Sequence, residues 1–369
     1  MIGFPVDGGL VSAGVTGMTA LGLSSVWRSL DILSNGVSQL DWRERRGTLD
    51  LPVSRIVARP QSWRTRREWT SLVVSTLALY DVCYLLKVGG YDSEGVPVGL
   101  WPLDPSIVAP VITDPYSLLP PDEFYVGQER LSRDDLVILH RSPQPGIDDS
   151  LAGVIRMARV TFAAAIAAEG YASRYWQAGG SPTTVLETDA TLNETAATEL
   201  GDRWAQKRSR GPDHAPVLSS GLKAKSFGAD PTSESAVEAR KELVADIGRY
   251  FGIPTNLLNA PAGDSETYTT TEAQGIGLVR YTLSNYIHAI QDAITDQLPG
   301  GRRMEMDTSS LTRGTQYTRA QAWQLALGRP WMSVEEVREA EGLPPQELPD
   351  PEPAPARLPV PVPGGTTRE

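Results

Sequence analysis

Between residues 24 and 40 the apolar side chains Val26, Leu30, Leu33, Val37 and Leu40 recur at three- and four-residue intervals, the period of a helix with one apolar stripe. Arg59 and Pro60 punctuate the chain, and a second helical stretch runs from about Arg66 to Leu79. The pattern then changes to strands. Residues Cys83 to Val88 and Val98 to Leu103 flank a turn at Asp92 to Gly95, and short strands are expected over Ile107 to Ile112, Glu123 to Val126 and Leu136 to His140. Up to about Ser150 this is the texture of a mixed α+β domain.

From Leu151 to Trp176 the chain is alanine-rich and apolar on most of a helical circumference, the mark of a helix buried on several sides. Gly179 to Pro182 end it. A compact unit follows, with a strand at Thr183 to Glu187, a helix at Asn193 to Lys207, and strands near Val217 and over Leu222 to Phe227. Ser235 and Glu238 have capping-box spacing and are expected to open a helix that carries Val237, Val244, Ile247 and Phe251, stopped by Gly252 and Pro254. A polar loop, Asn259 to Thr270, precedes a second such pair, Thr269 and Glu272. Beyond it Ile276, Val279, Leu283, Ile287, Ile290, Ile294 and Leu298 give the strongest helical period in the chain. A strand at Arg303 to Asp307 and helices at about Arg319 to Leu327 and Ser333 to Glu341 close the patterned part. From Leu348 the sequence is proline-rich and is expected to be extended.

Composition narrows the function classes. The chain has 369 residues, 40% of them hydrophobic, enough for one large or two ordinary domains. No run approaches the ~20 apolar residues of a membrane helix, and residues 1–23 lack a basic leader and are expected to form a flexible arm. A net charge of −11 argues against gripping nucleic acid over the whole surface, though not against letting it slide past. One cysteine, Cys83, excludes an intrachain disulfide and suits a reducing compartment.

Catalytic chemistry finds little support. A phosphate-cradling loop and a nucleophile elbow are both missing. Cys83 sits in an apolar strand-like run, as a buried inert thiol would, and His140 ends a strand without a partnering acid or nucleophile signature. The pairs Asp134 with Asp135 and Asp148 with Asp149 fit solvated turns, and nothing calls for a metal or cofactor. One cluster stands out: Arg203, Lys207, Arg208 and Arg210 crowd one end of the 193–207 helix, with Lys223 and Lys225 in the strand after it. It suits a helix C-terminus that favours cations, or a docking surface for an acidic partner or DNA.

Several segments, in order, resemble the portal family of long-tailed phages, the HK97-like group. The helix from Val26 to Leu40 resembles the family's opening helix. Arg59, Pro60 and Gln61 with Thr65, Glu68 and Trp69 resemble its "rPN…T…ef" stretch, with Gln61 in place of Asn. Leu79 to Tyr84 is similar to "lyGnay", with Asp81 in place of Gly. Gly95 and Leu100 to Pro105 match the next pattern, and Asp135 to His140 resembles the "d.i.H" strand. Phe251 to Pro254 with Tyr268 and Glu272 resembles "fgvP…ty.n.e", and Ser333 to Arg338 with Gly342 to Pro345 resembles the closing segment.

That resemblance implies a non-enzymatic portal fold: an α/β wing, a two-helix stem, a small α/β clip and a short helical crown, assembled as a ring. The wing would be 24–150 with a long helix and strand at 271–314, the stem helices 151–178 and 231–252, and the clip 179–230. A tunnel-loop region would span 253–270, the crown 315–347 and the tail 348–369. It also implies a ring of twelve copies at the capsid vertex of a virion, assembled in the host cytoplasm. Double-stranded DNA would pass through the ring, and the large terminase, head–tail adaptors and the major capsid protein would be its partners. Tunnel-loop residues would be Asn259, Asp264, Ser265, Glu266, Thr267, Tyr268 and Thr269. The clip's docking residues would be Arg203, Lys207, Arg208, Arg210, Lys223 and Lys225. Val160, Ala164, Ala167 and Tyr171 would form the stem interface. Another head–tail connector or minor capsid protein, and a small-molecule enzyme built on Cys83 or His140, are the competing readings.

Overall fold

The computed structural model describes residues 15–111, 121–142, 153–177, 183–187, 193–209, 223–227, 233–258, 274–312, 316–327 and 331–344. It divides into two compact units, residues 1–312 and 313–369. The first opens with a short helix, α1 (Gly17–Leu21), and then α2 (Ser24–Ser38), whose Val26, Leu30, Leu33 and Val37 are buried at the expected spacing. Next come β1 (Asp41–Arg46), β2 (Leu49–Leu51), a helical turn α3 (Arg55–Ala58) and α4 (Arg66–Tyr80). Thr65 and Glu68 form a reciprocal capping box at the start of α4. That gives a physical reason for the Thr and Glu spacing in this part of the chain.

Helix α4 ends in a left-handed residue, Asp81, with φ of 64°. It is the one non-glycine residue with positive φ among the described residues. Glycine is the usual occupant of such a position, and Asp is among the few side chains that tolerate it. From there β3 (Val82–Tyr91) forms the centre of an antiparallel sheet, between β4 (Pro97–Leu103) and β8 (Leu136–His140). A smaller antiparallel sheet joins β5 (Val108–Pro110), β6 (Glu123–Val126) and β7 (Glu129–Ser132). Cys83 lies fully buried in β3, and burial pushes its thiol pKa up, so it is an inert core residue.

The alanine-rich segment departs from one uninterrupted helix. After a turn of helix, α5 (Val154–Met157), the backbone shifts at Ala158 before α6 (Arg159–Gln177). The entry is set by Gly153, where a Cβ would lie 2.7 Å from the Tyr80 Cα and 2.8 Å from the Leu79 carbonyl oxygen. In the stretch expected to form the compact unit, β9 (Thr183–Glu187) and β10 (Lys223–Phe227) pair antiparallel, with α7 (Glu194–Ser209) between them in the chain. Asn193 caps α7 by accepting the Ala196 N–H at 2.8 Å. The strand expected near Val217 and the second capping pair, Thr269 and Glu272, lie outside the described residues.

Helix α8 (Glu234–Phe251) begins after Ser233, so Ser235 and Glu238 lie within its first turns and form no capping box. Its C-terminal Gly252 has φ of 68°, and the Thr282 hydroxyl donates to the Gly252 carbonyl at 2.6 Å. A side chain at 252 would meet both the backbone preference and Thr282. The long helix α9 is helical over 274–278, widens into a π turn at Val279–Leu283 and continues as Ser284–Thr295, ending a turn before Leu298. Strand β11 (Arg302–Asp307) pairs with β1 across some 260 residues, from Asp41 opposite Asp307 to Arg46 opposite Arg302. The buried Glu44 carboxylate of β1 accepts the Ser54 N–H at 2.7 Å and Arg302 at 3.3 Å, which fastens this closure.

In the second unit, helices Gln316–Leu327 and Val334–Ala340 are joined by Trp323, whose Nε1–H donates to Glu341 at 2.6 Å, and by the Arg319–Glu341 ion pair at 3.4 Å. Ser333 and Glu336 cap the second helix reciprocally.

Candidate functional site

Helix α6 is apolar on two opposite faces. Phe162 and Ala165, with Ala158 just before the helix, are buried in the core to which α8 contributes Ile247 and Phe251. On the other side Met157 of α5, and Val160, Ala164, Ala167 and Tyr171 of α6, are exposed in the single chain, Val160 at 73%. Their spacing of three and four residues makes a continuous seam about as wide as a helix contact. The four residues expected at the stem interface thus fall on one surface. Met157 belongs with them, and its period with Val160 and Ala164 was open to sequence reading.

Where α6, α8 and the start of α2 diverge, a groove of about 480 Å³ opens over Leu23, Ala165, Val244 and Ile247, rimmed by Arg28 and Arg240. Its lining comes from three distant stretches, which no local pattern connects.

A second constellation lies where the sheet hands the chain on towards α6. Arg141, just after β8, donates from Nε to Asp81 at 2.7 Å and from Nη1 to the Tyr286 hydroxyl of α9 at 3.0 Å. Its guanidinium also sits 5.6 Å from the Tyr286 ring centre. Burial raises the Asp81 carboxyl above its ordinary pKa, while Arg141 and the Ser142 N–H pull the other way. Burial raises the Tyr286 phenol as well. The residue that departs from glycine therefore anchors three elements through one cation. Sequence reading missed this, since 60 residues separate Asp81 from Arg141 and 145 separate Arg141 from Tyr286.

Of the basic cluster, Arg203 is exposed on α7 and makes an exposed ion pair with Glu199 at 3.4 Å, and Lys223 is exposed at the start of β10. Lys207 and Arg208 lie in the last turns of α7 and Lys225 in β10, with their side chains outside the described residues. Arg210 is outside as well. So is the whole tunnel-loop set, Asn259, Asp264, Ser265, Glu266, Thr267, Tyr268 and Thr269. Among the described residues no group of His, Cys, Asp and Glu has the arrangement of a metal site, and no helix is long and apolar enough to cross a membrane.

Comparison with known proteins gives this arrangement a context. The family described as phage portal protein matches residues 24–342. The chain is 26% identical over 204 residues to the probable portal protein of Streptomyces phage phiC31, an alignment covering 53% of this chain and 44% of that relative. The chain thus spans less than half the length of that relative. With the portal protein of Enterobacteria phage HK97 it shares 24% identity over 358 residues, covering 88% of this chain and 80% of the relative. Among solved structures, it is similar to an HK97 family phage portal protein from Corynebacterium diphtheriae, with a TM-score of 0.62 at 19% identity over 81% of this chain and 98% of that one. A chain from the neck of a native gene transfer agent particle, computed with C12 symmetry, gives a TM-score of 0.60 at 20% identity over 93% and 96% of the two chains.

Proposed function

The chain belongs to the phage portal protein family, and from that premise we propose that its copies close into the ring at one capsid vertex through which DNA is packaged and later ejected. The observation that carries the proposal is the apolar seam of Met157, Val160, Ala164, Ala167 and Tyr171, which one chain leaves open to water. A seam on one side of a helix whose other side is already packed calls for a second copy. A head-to-tail contact of unlike surfaces, repeated by rotation, closes a ring. Twelve copies accord with the symmetry of the neck to which the fold is similar.

In this reading residues 24–150 and 271–314 are the wing, α6 and α8 the stem, 179–230 the clip, and 315–347 the crown. Arg203, Lys207, Arg208, Arg210, Lys223 and Lys225 form the surface that docks the large terminase during packaging and the head–tail adaptors afterwards. Asn259 to Thr269 line the channel. Two acids, Asp264 and Glu266, with no Lys or Arg between 259 and 270, suit a wall along which a polyanion slides without being held. The role is mechanical, with assembly in the host cytoplasm and residence in the virion at the vertex formed by the major capsid protein. Native mass spectrometry of the purified chain tests the reading. A closed oligomer of one defined copy number supports it, and a monomer at every concentration contradicts it.

A further inference from the structure

Residues 52–67 carry five arginines and no acid, in a chain whose net charge is −11. One of them spans an exposed tryptophan: the Arg59 Nε–H donates to the Arg64 backbone carbonyl at 3.2 Å, with Trp63 between the two residues in the loop. Trp63 is 56% exposed, and its ring meets Trp101 edge-on with centroids 4.3 Å apart. The platform beneath is rigid. The Leu100 N–H donates to the Pro60 carbonyl at 2.8 Å, and the buried Trp69 indole donates to the Leu100 carbonyl at 2.9 Å. The acid at its edge, Glu68, is already occupied by the Thr65 N–H and hydroxyl at 2.8 and 2.9 Å. Arg67 stands exposed in the first turn of α4.

A solvent-facing tryptophan packed on a second indole, in a loop rich in arginine, has the composition of a binding hot spot. Paired aromatic rings also receive proline segments well, because an extended proline helix arrives already ordered. Duplex DNA fits less well. Its phosphates would engage the arginines, but its stacked bases offer nothing to Trp63. The complementary chemistry occurs in this same sequence. Residues 347–355 hold three acids, four prolines and no cation.

We propose that the Trp63–Trp101 platform, with Arg59 and Arg67, receives the acidic proline segment 347–355 of a second copy. Prolines pack on the tryptophans, and Glu347, Asp350 and Glu352 face the arginines. The contact is separate from the ring interface, so a ring that forms without it leaves the proposed function standing.

The test uses the full chain carrying E347Q, D350N and E352Q, so that its own segment does not compete, and a fluorescently labelled synthetic peptide of residues 345–356. Fluorescence anisotropy should show binding that Trp63→Ala weakens by about tenfold or more, in line with loss of a hot-spot residue. Arg59→Gln with Arg67→Gln should remove most of its salt dependence. A peptide with the three acids replaced by amides should bind the same E347Q, D350N and E352Q chain no better than a scrambled control, a result independent of any effect on folding. A photo-crosslinker in place of Ser62, in a mixture of isotopically light and heavy full-length chains, identifies the donor. Crosslinks from a light to a heavy copy within 347–355 support the proposal. Peptide affinity unmoved by Trp63→Ala, or crosslinks confined to one copy or to other segments, would overturn it.

Discussion

Ala164→Asp separates folding from assembly, because Ala164 is exposed in one chain and, in the account given above, buried between two. In the isolated subunit the new carboxylate stays in water on the outer face of α6. The cost there is the difference in helix propensity between Ala and Asp, about 0.7 kcal/mol or less. In the ring the same carboxylate enters a seam whose own residues beside it, Val160, Ala167 and Tyr171, carry no cation. Removing an unpaired charge from water costs several kcal/mol even after relaxation. Taking roughly 3 kcal/mol, each contact weakens about 150-fold, at ~1.4 kcal/mol per factor of ten. The loss recurs at every contact of a closed ring. Phe162→Ala is the contrast: that ring is fully buried within the subunit, so its loss should cost about 3–5 kcal/mol of folding stability. Mass photometry measures assembly, and thermal unfolding followed by circular dichroism measures the subunit. Ala164→Asp should give folded monomers with a nearly unchanged melting curve. Rings formed by Ala164→Asp as readily as by wild type would show that this face is not the stem interface.

Replacing Arg203, Lys207, Arg208 and Arg210 with Ala should weaken terminase or adaptor binding and flatten its dependence on salt; equal affinity across a salt series would assign the cluster to solvent. Asp264→Lys with Glu266→Lys should leave ring assembly intact but slow packaging or ejection, since each new cation can hold a phosphate; wild-type rates at low salt would remove the loop from the channel. Arg141→Met leaves the buried Asp81 without its cation and should cost about 3–5 kcal/mol of stability near pH 7, seen as a lower denaturant midpoint. The sign with pH follows from the raised Asp81 pKa. Its contribution is fully present below the ordinary carboxylate range and is lost as pH rises through the folded value, so the variant should recover part of its deficit on acidification. A deficit that grows on acidification would contradict this.

The helices of the first unit were legible because each carries its apolar period within one stretch, as Val26 to Val37 do in α2 and Ile287 to Ile294 do in α9. Strands β3, β4 and β8 announced themselves in the same way. Pairing was not legible. β1 joins β11 across the length of the unit, and the Glu44–Arg302 contact that fixes it has no local signature. The break at Ala158 lies one turn beyond the close approach of Gly153 to Tyr80, and the π turn in α9 includes Thr282, which contacts Gly252; neither approach has a local signature. Ser235 and Glu238 show the opposite error, a motif spacing that begins two residues past Ser233, the N-cap of the helix it was expected to start. At the site, the seam on α6 could be named residue by residue because an apolar helix face needs only composition and period. The Asp81, Arg141 and Tyr286 anchor could not, since three separate elements supply it.

Electron microscopy of the purified full-length chain, with rotational averaging of end-on views, tests the central claim most directly. The account predicts closed rings of one copy number around an open central hole. A population of compact monomers, or of open chains without closure, would contradict it.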